Sequence, residues 1–246
     1  MKLLTDKDYH LLGEAQFGVP GLVATEIIGP FVELQSSGPL IMVHDGVFQP
    51  RHGIGHHPHR FNERLFYILE GAVDHDDALN DIQGHMGAGD LGRLTEGMRG
   101  MLHKEWNNTD GVARAFILVY ETEPTPREAS FALLEDEEAA RYDESDGVAT
   151  KEIVGSKVGF PINGDIRLFA DSTFEPGATL RAELDTDEGG LIFSLDGHFT
   201  LFNGAGVNLA RGDAVVFEPS KEPRTFTLHT SGGGRVLRVV HGPSRR

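Results

Sequence analysis

Most of the chain reads as short apolar runs punctuated by Gly, Asp and Asn. "GPLIMVHDG", "RLFYILEGAVDH", "ARAFILVYE", "DIRLFADSTF", "GLIFSLDGHFTLF", "DAVVFEP" and "RVLRVVHG" each close on turn-forming residues, the pattern of strands. One segment differs. "TPREASFALLEDEEAARYDE" has Pro126 near its start, then helix formers and acids, and predicts a helix or helical connection. It ends in "SDG" and divides the chain into an N-terminal unit (1–123), a helical connection (124–147) and a C-terminal unit (148–246). The two units share a pattern. "LFYILEGAVDH" (65–75) is followed by "GAGDLGRL" (87–94), and "LIFSLDGHFTLF" (191–202) by "LARGDAVVF" (209–217). Each has an apolar strand, an acid-Gly turn, a second strand and a Gly-Asp turn into a third. Such a shared offset points to duplication, and the predicted class is all-β, with two tandem barrels or sandwiches.

Composition narrows the class further. A chain of 246 residues accommodates two ordinary domains, and its 31 glycines favour turns and short strands over long helices. No apolar run reaches the roughly 18 residues that a membrane helix needs. The start, "MKLLTDKDYHLLGEAQ", is too charged for a signal peptide, so a soluble, cytoplasmic protein without membrane association is expected. With no cysteine, a metal site must be built from His, Asp, Glu or water. The net charge of -16 and the scattered basic residues argue against direct nucleic-acid binding. The acidity fits either solubility or adaptation to high salt.

The candidate chemistry lies in "HHPHRFNERLFYILEG" (56–71). Side chains two apart on a strand share a face, so His57 and His59 pair, with His56 turned away. If the strand continued unbroken, Glu63, Leu65, Tyr67 and Leu69 would share that face. In "GMRGMLHKEWNN" (97–108), His103 and Glu105 are again two apart, with Met101 on the same face. Either pair alone reads as a polar strand. Brought together across a barrel, three imidazoles and one carboxylate suit a divalent transition metal with open positions. Iron(II), manganese, nickel, cobalt, copper and zinc all suit these ligands, and ligand type does not select among them, whereas calcium and magnesium want more oxygens.

"HPHRFNERLFYILEG" followed by "GAGDLGRLTEGMRGMLHKE" resembles the pirin family of the cupin superfamily. The resemblance rests on the H-P-H-R stretch, a Glu three residues later, the strand ending in "LEG", the Gly-Asp turn and a G-x-x-H-x-E segment. It covers most of the first half and, more weakly, the second. It implies two tandem cupin jelly-roll barrels with metal in the first, and His57, His59, His103 and Glu105 as ligands. The general cupin pattern nominates Glu63 as the fourth ligand. Glu105 is preferred because it travels with His103, which leaves Glu63, and more weakly Asn107, to orient a ligand imidazole. Phe61, Asn62 and the proline-free "GAGD" depart from the family pattern beside the pocket and put the substrate in doubt.

The resemblance also implies an activity. Bacterial pirins are associated with dioxygen-dependent opening of the flavonol quercetin, so the expected partners are O2 and a small aromatic substrate. Glu105 would be both ligand and proton acceptor, with Leu65, Tyr67 and Met101 as pocket walls. The rival is a non-catalytic, metal- or redox-sensing regulator that binds a protein partner; a monomer is expected in either case. In the second half, anchoring on the acid-Gly turns sets Glu183 and Asp185 against His57 and His59, and Phe226 falls against His103. The second barrel is therefore expected to lack metal. His75 and His85 are expected in solvent. "SGGGR" lacks the Lys-Ser/Thr of a phosphate loop, and no Gly-x-Ser-x-Gly elbow occurs.

Overall fold

The run "NERLFYILE" forms the strand Asn62–Glu70, buried along nearly its whole length. A strand with one wet face would alternate apolar and polar residues; this one does not, because both of its faces are covered. In the computed structural model, which describes residues 1–244, Phe66 and Ile68 face one apolar core, and Leu65 and Tyr67 face another.

The first core fills a barrel made of two sheets. A seven-stranded sheet runs, in spatial order, Ser130–Leu134, Leu91–Thr95, Asn62–Glu70, Ala113–Glu121, Leu40–Phe48, Leu22–Ile28 and His10–Leu12. Facing it is a four-stranded sheet of Gly53–His59, Met101–Trp106, Ala72–Asp77 and Ile82–Gly87. The second barrel repeats this plan. Its seven strands are Lys2–Leu4, Ala214–Phe217, Gly189–Gly197, Gly234–His241, Ile166–Phe174, Val148–Val154 and Ala140–Ser145. Its four are Thr179–Leu184, Arg224–His229, Phe199–Asn203 and Ala205–Leu209. The neighbours are hydrogen-bonded antiparallel throughout, so this is a pair of jelly rolls, as the repeat predicts.

The duplication reaches further than the strands that first suggest it. "TEIIG" (25–29) and "KEIVG" (151–155) occupy equivalent places. Glu26 accepts the backbone N–H of Phe31 at 2.7 Å, and Glu152 accepts that of Lys157 at 2.6 Å. Each carboxylate folds back under a glycine with φ near 155°, Gly29 or Gly155, where a Cβ would strike it at 2.4 Å.

The connection is not helical. It keeps one 3-10 turn, Asp136–Glu138, between the strands Ser130–Leu134 and Ala140–Ser145. Its helix propensity is overridden by two open sheet edges that need partners. Ser130–Leu134 completes the first barrel by pairing with Leu91–Thr95, while Lys2–Leu4 crosses to pair with Ala214–Phe217 in the second. Each barrel thus takes an edge strand from beyond the boundary read at 123, and residues 2–4 lie in the second barrel's sheet.

The outer faces of the seven-stranded sheets form the core between the barrels. Leu65, Tyr67, Phe116, Leu118 and Tyr120 meet Phe169, Leu191, Phe193, Leu237 and Val239 there. Phe116 and Phe193 have ring centroids 5.1 Å apart. Polar bonds rim this core. Tyr67 donates to Asp171 at 2.6 Å, and Glu63 accepts from Tyr120 at 2.6 Å and from the Asn163 backbone at 2.8 Å. Truncating the central ring with Phe193→Ala is expected to cost about 3–5 kcal/mol in urea unfolding, as for a buried aromatic at a well-packed site.

Candidate metal centre

The candidate ligands come from neighbouring strands of the four-stranded sheet. His103 lies opposite His57, and Met101 opposite His59. The register then shifts, so that Glu105 opposes Ile54. This bulge places one extra residue on the Gly53–His59 strand and leaves His103 and Glu105 on a common face. Gly53 makes the approach possible, since a Cβ there would lie 2.2 Å from the Glu105 carbonyl.

Ring centroids separate His57 from His59 by 4.8 Å, His57 from His103 by 4.5 Å and His59 from His103 by 5.0 Å. The donor atoms of these imidazoles lie within 4.8 Å of one another. The same holds for a second set: His75, His103 and Glu105. His103, Glu105 and His75 are buried, whereas His57 and His59 are partly open, so the mouth lies on their side.

The polar atoms here are poorly satisfied without a shared cation. Both ring nitrogens of His103 and Nε2 of His75 are buried with no hydrogen-bond partner. Nδ1 of His103 lies 2.6 Å from Oε1 of Glu105 without hydrogen-bonding geometry. A buried orphan polar group costs about 1–3 kcal/mol, so several in one place fit residues shaped around an ion. The protonation states agree. Burial, followed by the positive charge of Arg64, pushes His59 down to about 2. Burial likewise lowers His57, against the bond between its Nδ1 and the Gly55 carbonyl at 2.8 Å. If Nδ1–H donates there, Nε2 keeps its lone pair for a metal. Burial opposes ionisation of Glu105, but His103 and His75 outweigh it and hold the carboxyl well below its usual range. Imidazoles that burial keeps from protonation, His57 and His59, beside an ionised carboxylate suit a divalent transition metal.

Several expectations need correction. Glu63 does not approach the imidazoles. Between His59 and Asn62 the chain passes from one sheet to the other through Phe61, whose φ is 84°, so the parity count ends there. Glu63 faces the second barrel, bound by Tyr120, Thr95 and Asn163. Leu65 and Tyr67 fall in the inter-barrel core for the same reason; of the three expected walls only Met101 faces the barrel interior. The Asn107 amide donates to the carbonyls of Phe48, Gln49 and Gly111 and braces a turn.

His75 is a residue the sequence reading missed. Expected in solvent, it is 2% exposed, and its Nδ1 lies 3.3 Å from Oε1 of Glu105. Phe131, from the edge strand Ser130–Leu134, stacks on the His75 ring at 5.5 Å. Gly84 leaves space for that ring, since a Cβ there would meet it at 2.4 Å. The available signal was strand parity. His75 pairs with Glu105 across the sheet and shares a face with Val73, which lies in the barrel core. His85 is exposed, as expected, and pairs with Asp74; His56 contacts Asp76 at 3.1 Å on the outer face.

The second barrel has no equivalent centre among the described residues, where both ligand groupings belong to the first. Leu180, Leu201, Phe226 and Leu228 fill the corresponding interior. Glu183 and Asp185 are exposed. His229 contacts the Thr179 hydroxyl at the sheet surface.

Residues 16–119 match the Pirin family. A Zymomonas mobilis protein named for quercetin 2,3-dioxygenase is 26% identical over 208 residues, covering 83% of each chain. Rat pirin is 27% identical over 247 residues, covering 94% of this chain and 83% of its own. Among solved structures, the bacterial pirin YhhW of Escherichia coli in complex with nickel(II) superposes with a TM-score of 0.79 at 16% identity, covering 98% of this chain and 99% of its own. Residues 16–119, in the first barrel, are thus where this chain matches the Pirin family, and pirins are among both its relatives and its neighbours in fold.

Proposed function

We propose that the protein is a metal-dependent dioxygenase acting on a flavonol-type aromatic substrate, with His57, His59, His103 and Glu105 as ligands to one iron(II). The observation that carries this reading is the convergence of His57, His59 and His103, with buried Glu105 2.6 Å from His103 and both ring nitrogens of His103 left without a hydrogen-bond partner. The nickel(II) complex of the Escherichia coli pirin and the quercetin dioxygenase name of the Zymomonas relative support it.

A divalent metal held there would supply Lewis acidity and a site for dioxygen chemistry. The chain's own residues do the rest. Gly55 fixes the tautomer and aim of His57. Glu105, kept as a carboxylate, is the group placed to take a proton from a substrate hydroxyl, a role typically worth about 10²–10⁴-fold. His75, through Nδ1, orients Glu105, and Phe131 orients His75. Met101, Phe66 and Leu94 line the interior and exclude water.

A second reading is a non-catalytic, metal- or redox-sensing protein that binds a partner. Phe61 and Met98, apolar and exposed beside the turn after His59, favour it.

Dioxygen uptake by Fe(II)-loaded protein given quercetin is expected, and it is expected to vanish in the His57→Ala, His59→Ala variant. Iron bound without uptake would exclude quercetin and favour the second reading. His75→Ala should lower metal affinity by about 10–100-fold in a competitive chelator titration, the usual effect of removing a residue that orients a ligand. Unchanged affinity would remove His75 from the centre.

A further inference from the structure

Arg64 has no role in the chemistry described above, yet its position is unusual. It is 9% exposed on the Asn62–Glu70 strand, paired across the sheet with Leu94 on one side and Val119 on the other. Both neighbours belong to the core inside the first barrel, as do Phe66 and Ile68 on Arg64's own face. Arg64 therefore lies on the interior side of its sheet, the side of the candidate metal centre. Its charge reaches both His57 and His59.

The guanidinium is held from one edge. Nε donates to Oε1 of fully buried Glu96 at 2.7 Å. Glu96 is fixed in turn, because its Oε2 accepts the Asn62 backbone N–H at 2.9 Å. Nη1 and Nη2 take no hydrogen bond among the described residues. The remaining edge presents two parallel donors, a geometry that matches a carboxylate.

We infer that Arg64 is a specificity-determining residue that binds a carboxylate, which extends the ligands of the first barrel beyond the flavonol class to small aromatic carboxylates. This rests on the reading of His57, His59, His103 and Glu105 as a metal centre. It does not depend on whether quercetin is turned over.

The test is calorimetric titration of the Co(II)-loaded chain with benzoate and with its neutral analogue benzamide, with cobalt content measured alongside. Wild-type protein should prefer benzoate. Arg64→Met should weaken benzoate by about tenfold or more, the loss expected for a hydrogen bond to a charged group, while benzamide changes less than about twofold. Because Arg64→Met strands Glu96, the neutral pair Arg64→Met, Glu96→Gln is measured with it, and Arg64→Lys should restore part of the benzoate preference. A neutral pair that keeps one cobalt per chain and full benzoate affinity would overturn the assignment and leave Arg64 as a brace for the turn at Glu96. Cobalt-loaded wild type without a benzoate preference would overturn it equally. Wild type that takes up no cobalt would sink the metal reading instead, and benzoate binding still lost in the variants would keep Arg64 as the anion site.

Discussion

The constraint on which the structure depends is that the seven-stranded sheets are buried on both faces. One face closes its own barrel; the other seals against the second barrel. Along each central strand, successive residues therefore have different destinations. In Asn62–Glu70, Leu65 and Tyr67 hold the barrels together, while Arg64, Phe66 and Ile68 look toward the candidate metal centre. A one-residue slip would exchange the two sets, so packing between the barrels fixes what the centre sees. The edge strands strengthen this coupling, Lys2–Leu4 by crossing to the second barrel. Ser130–Leu134 follows the first unit's last central strand and returns to cover its barrel, bringing Phe131 onto His75.

Inside the first barrel, electrostatics sets the terms. Glu105 is almost wholly withdrawn from water, and a carboxylate there persists only with compensating partners. His103 and His75 supply them in the protein, and the orphan nitrogens nearby would be satisfied by a shared cation. In the second barrel no such demand arises, because Leu180, Leu201 and Leu228 fill the space. The duplicated fold thus carries one polar interior and one apolar interior on the same strand plan.

Much of the fold was legible in the sequence. Strand-length apolar runs, acid-Gly turns and the repeated pattern around 65–94 and 191–217 predict two all-β barrels, because local turn chemistry and a two-residue period leave few alternatives. The residues of the candidate centre were legible too, since His57/His59 and His103/Glu105 each lie two apart on one strand and need only a cross-strand pairing to meet. The pairing His103 with His57 supplies it.

Tertiary structure decided the rest. The "SFALL" and "ARYDE" segments have helical composition but become strands, because two open sheet edges offer hydrogen bonds that local propensity cannot match. The parity carried from His59 to Leu65 and Tyr67 fails at Phe61, where positive φ turns the chain from one sheet to the other. His75 and Arg64 read as ordinary polar residues until their partners, Glu105, Phe131 and Glu96, arrive from distant parts of the chain. Sequence determined which residues could pair along a strand, because that spacing is local. Which face they share, and with what charge, is set by contacts between strands far apart in sequence.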